Sequence, residues 1–220
     1  MADTDRVARL ALFDLDNTLL DRERAFGLWT QDFLGAHGLD PAAVPVIERA
    51  DADGYADRAQ FFGALRDALG ITTSLDELLA DYHVRYPSKY AAAPGTVDAL
   101  RSLRRAGWKV AVVTNGPPSQ LAKLAAAGIE DEFDAVCVAS LVGARKPDPA
   151  IFAEAARRCG LPLDGWMVGD SPDADIAGGS GVGLQTIWIH RGREWPRDDC
   201  SPDRTASTIA EAVGILLGAG

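Results

Sequence analysis

Five short runs of apolar residues are spaced along the chain, and each run stops at a polar or glycine residue. The runs cover residues 7–13, 109–113, 135–139, 166–168 and 186–189. Strands that are buried on both faces consist of nearly continuous apolar residues, whereas strands with one solvated face alternate apolar and polar positions. The pattern therefore predicts five strands of a sheet that is covered on both sides.

Helical periodicity fills most of the intervals between the later runs. Apolar positions recur three or four residues apart in segments 97–106, 119–127, 150–159 and 209–217. Asp148 and Pro149 are suited to the N-cap and the first position of the third segment, and glycines follow the first three segments. Alternating strands and helices predict an α/β fold with a Rossmann-like, doubly wound parallel sheet and right-handed crossovers.

Residues 21–90 interrupt this alternation, because they contain no convincing strand. Phe26, Trp29 and Phe33 are spaced along one helical face, and Asp21 is suited to cap the N-terminus of that helix. Further helices are predicted at 42–50, 58–69 and 75–86. We therefore expect a helical cap domain of residues 21–90, inserted into a core domain of residues 1–20 and 91–220. The alternative is that these helices only cover the sheet.

Composition limits the partners of the protein. The net charge of −10 argues against nucleic acid, for which a basic surface is expected, and against anionic membranes. Three cysteines with no CxxC spacing indicate reduced thiols and a cytoplasmic location. Charged residues within 1–9 argue against a signal peptide, and no apolar run is long enough to span a membrane.

The first polar cluster, Asp14-Leu15-Asp16-Asn17-Thr18, directly follows the first predicted strand. Asp14 and Asp16 are two residues apart, so in extended backbone both carboxylates face the same side. Such a pair also occurs as a simple turn or helix cap. A carboxylate can attack phosphorus when a cation withdraws charge from the target, and a second carboxylic acid can protonate the leaving oxygen.

Two more clusters follow later strands. Thr114, Asn115 and Gly116 offer a hydroxyl and backbone N–H groups, which suit a phosphoryl oxygen. Lys146 lies in a Lys-Pro-Asp-Pro segment and offers a cation, with Arg145 as the rival for that role. A Thr that ends a strand is often structural and a single Lys is often solvated, so each signal alone is weak.

The fourth cluster, Gly169 to Asp175, follows the fourth predicted strand and carries three acids. Gly169 permits a sharp turn and close approach of the backbone. Oxygen-only ligands such as Asp170 suit Mg²⁺. Asp175 is the second acid of interest, whereas Asp173 is interpreted as a turn or cap residue.

The order and chemistry of these four clusters resemble the haloacid dehalogenase-like hydrolase superfamily, and specifically its phosphatases with a helical cap inserted after the first strand. The resemblance covers residues 7–20 and 91–190. It implies that Asp14 is the nucleophile and Asp16 the acid and base. It also implies that Mg²⁺ binds the Asp14 carboxylate, the Asp16 backbone carbonyl and Asp170.

The resemblance assigns supporting roles as well. Lys146 would neutralise the nucleophile and the phosphoryl group, and Thr114, with Asn115 and Gly116, would bind the phosphoryl oxygens. Thr18 would steady the turn, and Asp175 would support the site through water or Lys146.

Together these assignments predict Mg²⁺-dependent hydrolysis of a small phosphorylated metabolite through an aspartyl-phosphate. Three alternatives remain: a phosphomutase of the same family, a 2-haloacid dehalogenase and a non-catalytic binding module. Asp16 argues against the dehalogenase, because the dehalogenases lack an acid at that position. The sequence leaves the ester and the oligomeric state open. Aromatic residues of the cap are interpreted either as core or as substrate contacts, namely Trp29, Tyr55, Phe61 and Phe62.

Overall fold

A computed structural model describes residues 9–219 of the chain. Residues 1–8, which carry the charges discussed above and the predicted start of the first strand, lie outside this range. The described chain divides into two compact units, one formed by the residues up to Asp21 and from Ala91 onward, the other by Arg22–Tyr90. The predicted domain boundaries fall within one residue of this division, and the role of the second unit as a cap stays a prediction.

The first unit contains a six-stranded parallel sheet, which confirms the predicted α/β fold. The strands are β1 (Arg9–Phe13), β2 (Trp108–Thr114), β3 (Ala135–Val138), β4 (Gly165–Gly169), β5 (Gln185–Ile189) and β6 (Arg204–Ala206). Their order is β3-β2-β1-β4-β5-β6, and every neighbouring pair is parallel. This is the strand order of the doubly wound dinucleotide-binding sheet.

Strand β6 is absent from the sequence prediction. It has only three residues, two of them exposed, so it shows no apolar run. Asp203 fixes its start, because its carboxylate accepts hydrogen bonds from the backbone N–H and the hydroxyl of Thr186 at 2.8 and 3.0 Å. The predicted end of β3 at residue 139 is also one residue too long, because Ala139 begins a short helix.

The second unit is helical, and no strand occurs within it. Its helices are α1 (Arg22–His37), α2 (Val44–Asp51), α3 (Arg58–Leu69) and α4 (Leu75–Arg85), with 3₁₀ turns at Pro41–Ala43, Ala52–Gly54 and Pro87–Lys89. Trp29, Phe61 and Phe62 are buried in its core, with ring centroids 5.8 and 5.9 Å from Trp29. Tyr55 is instead 72% exposed. The interpretation as core therefore holds for three of the four aromatic residues.

Helices of the first unit include the four that the periodicity predicts and two short ones, at 139–142 and 178–181, that it does not. They are α5 (Thr96–Arg105), α6 (Ser119–Ala127), α7 (Ala139–Val142), α8 (Pro149–Arg158), α9 (Gly178–Gly181) and α10 (Ile209–Gly218), with a 3₁₀ turn at Glu130–Glu132 and a π-helical turn at Pro172–Ala177. Asp148 caps α8, since its side chain accepts a hydrogen bond from Ala150 N at 2.9 Å. Among the described residues no helix has the length and hydropathy to cross a membrane.

Candidate active site

The sheet gathers three of the four polar clusters at one edge. Asp14, Thr114 and Asp170 come directly after or at the ends of β1, β2 and β4, which are neighbours in the sheet. Asp14 N donates to Val168 O at 2.9 Å, so the ends of β1 and β4 are in register. The carboxyl edge of an open parallel sheet is where ligands bind in such folds.

Lys146 joins this edge from the loop before α8. Its ammonium lies 2.5 Å from Asp14 Oδ1 and 2.7 Å from Asp175 Oδ1, and all three side chains are nearly or fully buried. Burial alone would lower the pKa of Lys146, but the two carboxylates outweigh it and raise the pKa. Lys146 is therefore a firmly charged cation, whereas Arg145 is exposed.

Burial has the opposite effect on the carboxylates. It raises the pKa of Asp14 to about 7, although Lys146 opposes the shift, and it also raises the pKa of Asp175. Burial and the neighbouring charge of Asp14 raise the pKa of Asp170 to about 6. A buried group with a perturbed pKa beside a charged partner is typical of functional sites.

Asp170 has two cationic partners on the segment after β5. Arg191 Nη1 and Arg193 Nη2 lie 3.2 and 3.1 Å from Asp170 Oδ2. Trp188 Nε1 and Arg193 Nη2 also donate to the Asp170 backbone carbonyl, at 3.0 and 2.7 Å. Sequence reasoning missed this role of Arg193, because it lies in an irregular segment, with ten residues between it and β6, and no spacing rule links it to the fourth cluster.

Three carboxylates come close enough to hold one cation. Ligand oxygens of Asp14, Asp170 and Asp175 lie within 4.8 Å of one another, and these are the only such group of His, Cys, Asp or Glu in the described chain. An all-oxygen set of this kind fits a hard cation such as Mg²⁺. The prediction names Asp14, Asp16 and Asp170; the carboxylate group found here contains Asp175, and the Asp16 carboxylate lies outside it.

The Asp16 carboxylate is instead held by helix α6. Lys123 Nζ lies 2.9 Å from Asp16 Oδ1 and 2.7 Å from Oδ2, and Gln120 Nε2 donates to Oδ2 at 3.0 Å. Gln120 Nε2 also donates to Thr114 Oγ1 at 2.7 Å. Gln120 and Lys123 were missed as site residues, although their i,i+3 spacing on a helix directly after the Thr114 cluster is a usable signal.

The second cluster shapes the loop that carries Lys146. The Asn115 side chain donates to Lys146 O at 2.9 Å and accepts from Lys146 N at 2.8 Å. Asn115 therefore fixes the backbone of Lys146 in both directions. A Cβ at Gly116 would lie 2.9 Å from Gln120 Cγ, so the absence of a side chain there makes room for Gln120.

Thr18 lies in the turn that follows Asp16. Its side chain is buried, and within residues 9–219 its hydroxyl has no hydrogen-bond partner. The turn itself is closed by backbone bonds from Leu19 N and Leu20 N to Leu15 O, each 3.0 Å, with Asn17 in the left-handed region at φ 61°. Asn tolerates that conformation better than most residues. A steadying role for Thr18 stays a prediction.

Comparison with known proteins agrees with this arrangement. The chain is 34% identical over 153 residues to a phosphoserine phosphatase of Thermus thermophilus, covering 69% of this chain and 61% of that protein. A crystal structure of a HAD phosphatase from Thermococcus onnurineus matches with 30% identity and a TM-score of 0.66, covering 94% and 97% of the two chains. A 2-haloacid dehalogenase structure from Pseudomonas syringae matches with 26% identity and a TM-score of 0.64, covering 97% and 100%.

The chain spans about three fifths of the length of the Thermus relative. Membership of a family rests on a separate comparison, with a family model. The model described as haloacid dehalogenase-like hydrolase matches residues 8–183, which include all four clusters. The chain belongs to the haloacid dehalogenase-like hydrolases.

Proposed function

We propose that this protein is a Mg²⁺-dependent phosphatase that hydrolyses a small phosphate monoester through an aspartyl-phosphate on Asp14. The observation that carries the proposal is the contact of 2.5 Å between the Asp14 carboxylate and the buried Lys146 ammonium, with a second acid, Asp16, two residues further on. A nucleophile, a fixed cation and a separate acid are the parts that two-step phosphoryl transfer requires.

In the first step an Asp14 carboxylate oxygen bonds to phosphorus, and the bond from phosphorus to the ester oxygen breaks. The electron pair goes to the leaving oxygen, which takes a proton from Asp16. In the second step a water oxygen attacks the phosphorus and gives a proton to Asp16. The bond to Asp14 breaks, the carboxylate is regenerated, and inorganic phosphate leaves.

The positive charge of Lys146 acts in both steps. Its fixed ammonium would stabilise the charge that develops on the phosphoryl oxygens, because it is already in place and cannot be screened by water. The Thr114 hydroxyl accepts a hydrogen bond from Gln120, so its own hydrogen is directed to another acceptor, such as a phosphoryl oxygen.

Asp14, Asp170 and Asp175 supply carboxylates that suit a Mg²⁺ ion. When bound, such an ion acts as a Lewis acid and offsets the negative charge that three buried carboxylates would present to an anionic substrate.

Phosphatase activity is favoured over the alternatives by particular features. The Thermus and Thermococcus relatives are named as phosphatases. The Pseudomonas relative is named as a dehalogenase, but the acid at position 16 serves the departure of an alcohol and has no such role when halide leaves. A phosphomutase would conserve total phosphate ester and release no inorganic phosphate.

The test is release of inorganic phosphate from a panel of sugar, nucleotide and aryl phosphates, with Mg²⁺ and with excess EDTA. We expect phosphate release that depends on Mg²⁺. In Asp14→Asn the rate should fall by about a thousandfold or more, because loss of the nucleophile should raise the barrier by several kcal/mol and each 1.4 kcal/mol is tenfold in rate. Asp173→Asn is the matched control, because Asp173 is an acid of the same site region whose side chain is 80% exposed.

Full activity of Asp14→Asn would contradict the assignment of the nucleophile. Undiminished activity after chelation and dialysis would contradict the role of the metal. Halide release from a 2-haloacid without phosphate release would replace the proposed reaction by the dehalogenase.

A further inference from the structure

The contacts of Asp16 point to a function for helix α6 that the proposed reaction does not yet contain. We propose that Lys123 and Gln120 are positioning residues that hold the Asp16 carboxylate for proton transfer and couple it to Thr114. The inference rests on the proposed function, since it concerns the acid and base of that reaction.

Three contacts fix the Asp16 side chain. Lys123 binds both oxygens and Gln120 binds Oδ2, at distances between 2.7 and 3.0 Å. Two donors therefore converge on Oδ2 and anchor this oxygen. Oδ1 has the longer of the two Lys123 contacts, at 2.9 Å, and we assign the exchange of the proton to this oxygen. An Asp16 carboxylate anchored in this way keeps one position for both proton transfers, to the leaving oxygen in the first step and from the attacking water in the second.

The burial of Lys123 argues for a positioning role rather than a role in stability. Its side chain is only 10% exposed, and its partner Asp16 is 23% exposed. Taking an ion pair out of water costs about as much as the attraction returns, so the pair as a whole adds little to stability, whereas loss of Lys123 alone leaves the Asp16 charge uncompensated. A Met at position 123 would keep the apolar part of the side chain and fill similar space.

Gln120 links the proton-transfer group to the phosphoryl-binding group. Its single side-chain amide nitrogen donates to Asp16 Oδ2 and to Thr114 Oγ1, and the residue as a whole is 2% exposed. One amide thus sets the position of the Asp16 carboxylate and the direction of the Thr114 hydroxyl together. The side chain of Gln120 can adopt this position because residue 116 is glycine.

The test separates proton transfer from all other contributions by changing the leaving group. An aryl phosphate leaves without a proton, whereas an alkyl phosphate requires one. We expect Lys123→Met to lower alkyl phosphate turnover by about ten- to hundredfold at nearly constant KM, part of the 10²–10⁴ that general acid–base catalysis supplies. The burst of aryl alcohol in rapid mixing should stay within about twofold of the wild type.

Two matched controls test whether the effect is specific to the Lys123 ion pair and whether it depends on the charge at position 123. Lys109→Met removes an ion pair of the same 2.7 Å length, to Asp134, from the same unit at a more exposed position, and should leave both substrates unaffected. Lys123→Arg keeps the charge and should restore part of the alkyl turnover. If Lys123→Met does not fold, Gln120→Leu takes its place and should likewise lower alkyl phosphate turnover more than the burst of aryl alcohol.

A double mutant decides whether Lys123 acts through Asp16. Because Asp16→Asn should stall after one turnover, the rates are compared in single-turnover experiments, where Lys123→Met should add no loss to the residual cleavage of alkyl phosphate in the Asp16→Asn background. An equal loss in alkyl turnover and in the aryl alcohol burst, multiplied losses in the double mutant, or no loss at all would overturn the inference. If Asp16→Asn itself fails to discriminate alkyl from aryl phosphates, the proposed acid role of Asp16 fails, and the inference with it. Selective loss in Asp16→Asn without one in Lys123→Met overturns the inference alone.

Discussion

Substitution of Lys146 by Met would test how the buried charges at the carboxyl edge of the sheet depend on one another. The ammonium contacts Asp14 at 2.5 Å and Asp175 at 2.7 Å. The side chain of Lys146 is 2% exposed, that of Asp14 10% and that of Asp175 0%. Methionine keeps the unbranched apolar part of the side chain and removes the terminal ammonium, with its charge and its three donors.

Two effects follow from this geometry. Removal of one partner of a buried ion pair costs about 3–5 kcal/mol, because the remaining charges stay buried without compensation. For a chain of this size that corresponds to a fall of roughly 6–20 °C in Tm. Loss of a fixed charge aimed at the transition state costs about 10²–10³ in kcat.

The assay combines thermal unfolding in EDTA with phosphate release in Mg²⁺. Arg145→Met is the control, because Arg145 is adjacent, carries the same charge and is exposed, so its stability effect should lie within about 0.5 kcal/mol. If Arg145→Met is the more damaging substitution, or if Lys146→Met keeps both Tm and activity, the role given to the Lys146 contacts is refuted.

Two further predictions concern the helical unit and the thiols. Asp51→Asn should destabilise that unit by about 3–5 kcal/mol in urea unfolding, because Asp51 is 2% exposed and lies 2.5 Å from Arg22. The control is Asp53→Asn. Asp53 pairs with the same Arg22 but is 45% exposed, so its substitution should cost less than about 1 kcal/mol. A maleimide at pH 7 should modify the partly exposed Cys200 and spare Cys159, whose thiol is buried with a pKa raised to about 11; equal labelling rates in the native protein would contradict this.

The fold could be predicted where burial dominates the sequence. Residues 10–13 of β1 are fully buried, and the apolar run shows it directly. Strand β6 could not be found in this way, since its place is set by the Asp203 contacts with Thr186, which join residues 17 positions apart. Short polar strands are specified by such tertiary contacts and leave no periodic pattern.

The candidate site was predictable because a parallel sheet brings the carboxyl ends of its neighbouring strands together. Asp14, Thr114 and Asp170 follow buried strands, and adjacency in the sheet brings them together. The side chains that contact these residues were harder to predict from the sequence. A role of Asn115 in binding a phosphoryl group stays a prediction. The sequence did not reveal that the Asn115 side-chain amide is bound to the backbone of Lys146, a loop-to-loop contact over 31 residues.

The most direct test of the central claim is a search for the covalent intermediate on Asp14. Asp16→Asn removes the proposed base of the second step, so mixing this variant with an aryl phosphate and Mg²⁺ should release one equivalent of aryl alcohol and then stop. Intact-mass and peptide-mass measurements should find one phosphoryl group on the peptide that contains Asp14 and none in the Asp14→Asn, Asp16→Asn double variant. Continued turnover without any phosphoryl adduct, or an adduct on another residue, would contradict the account.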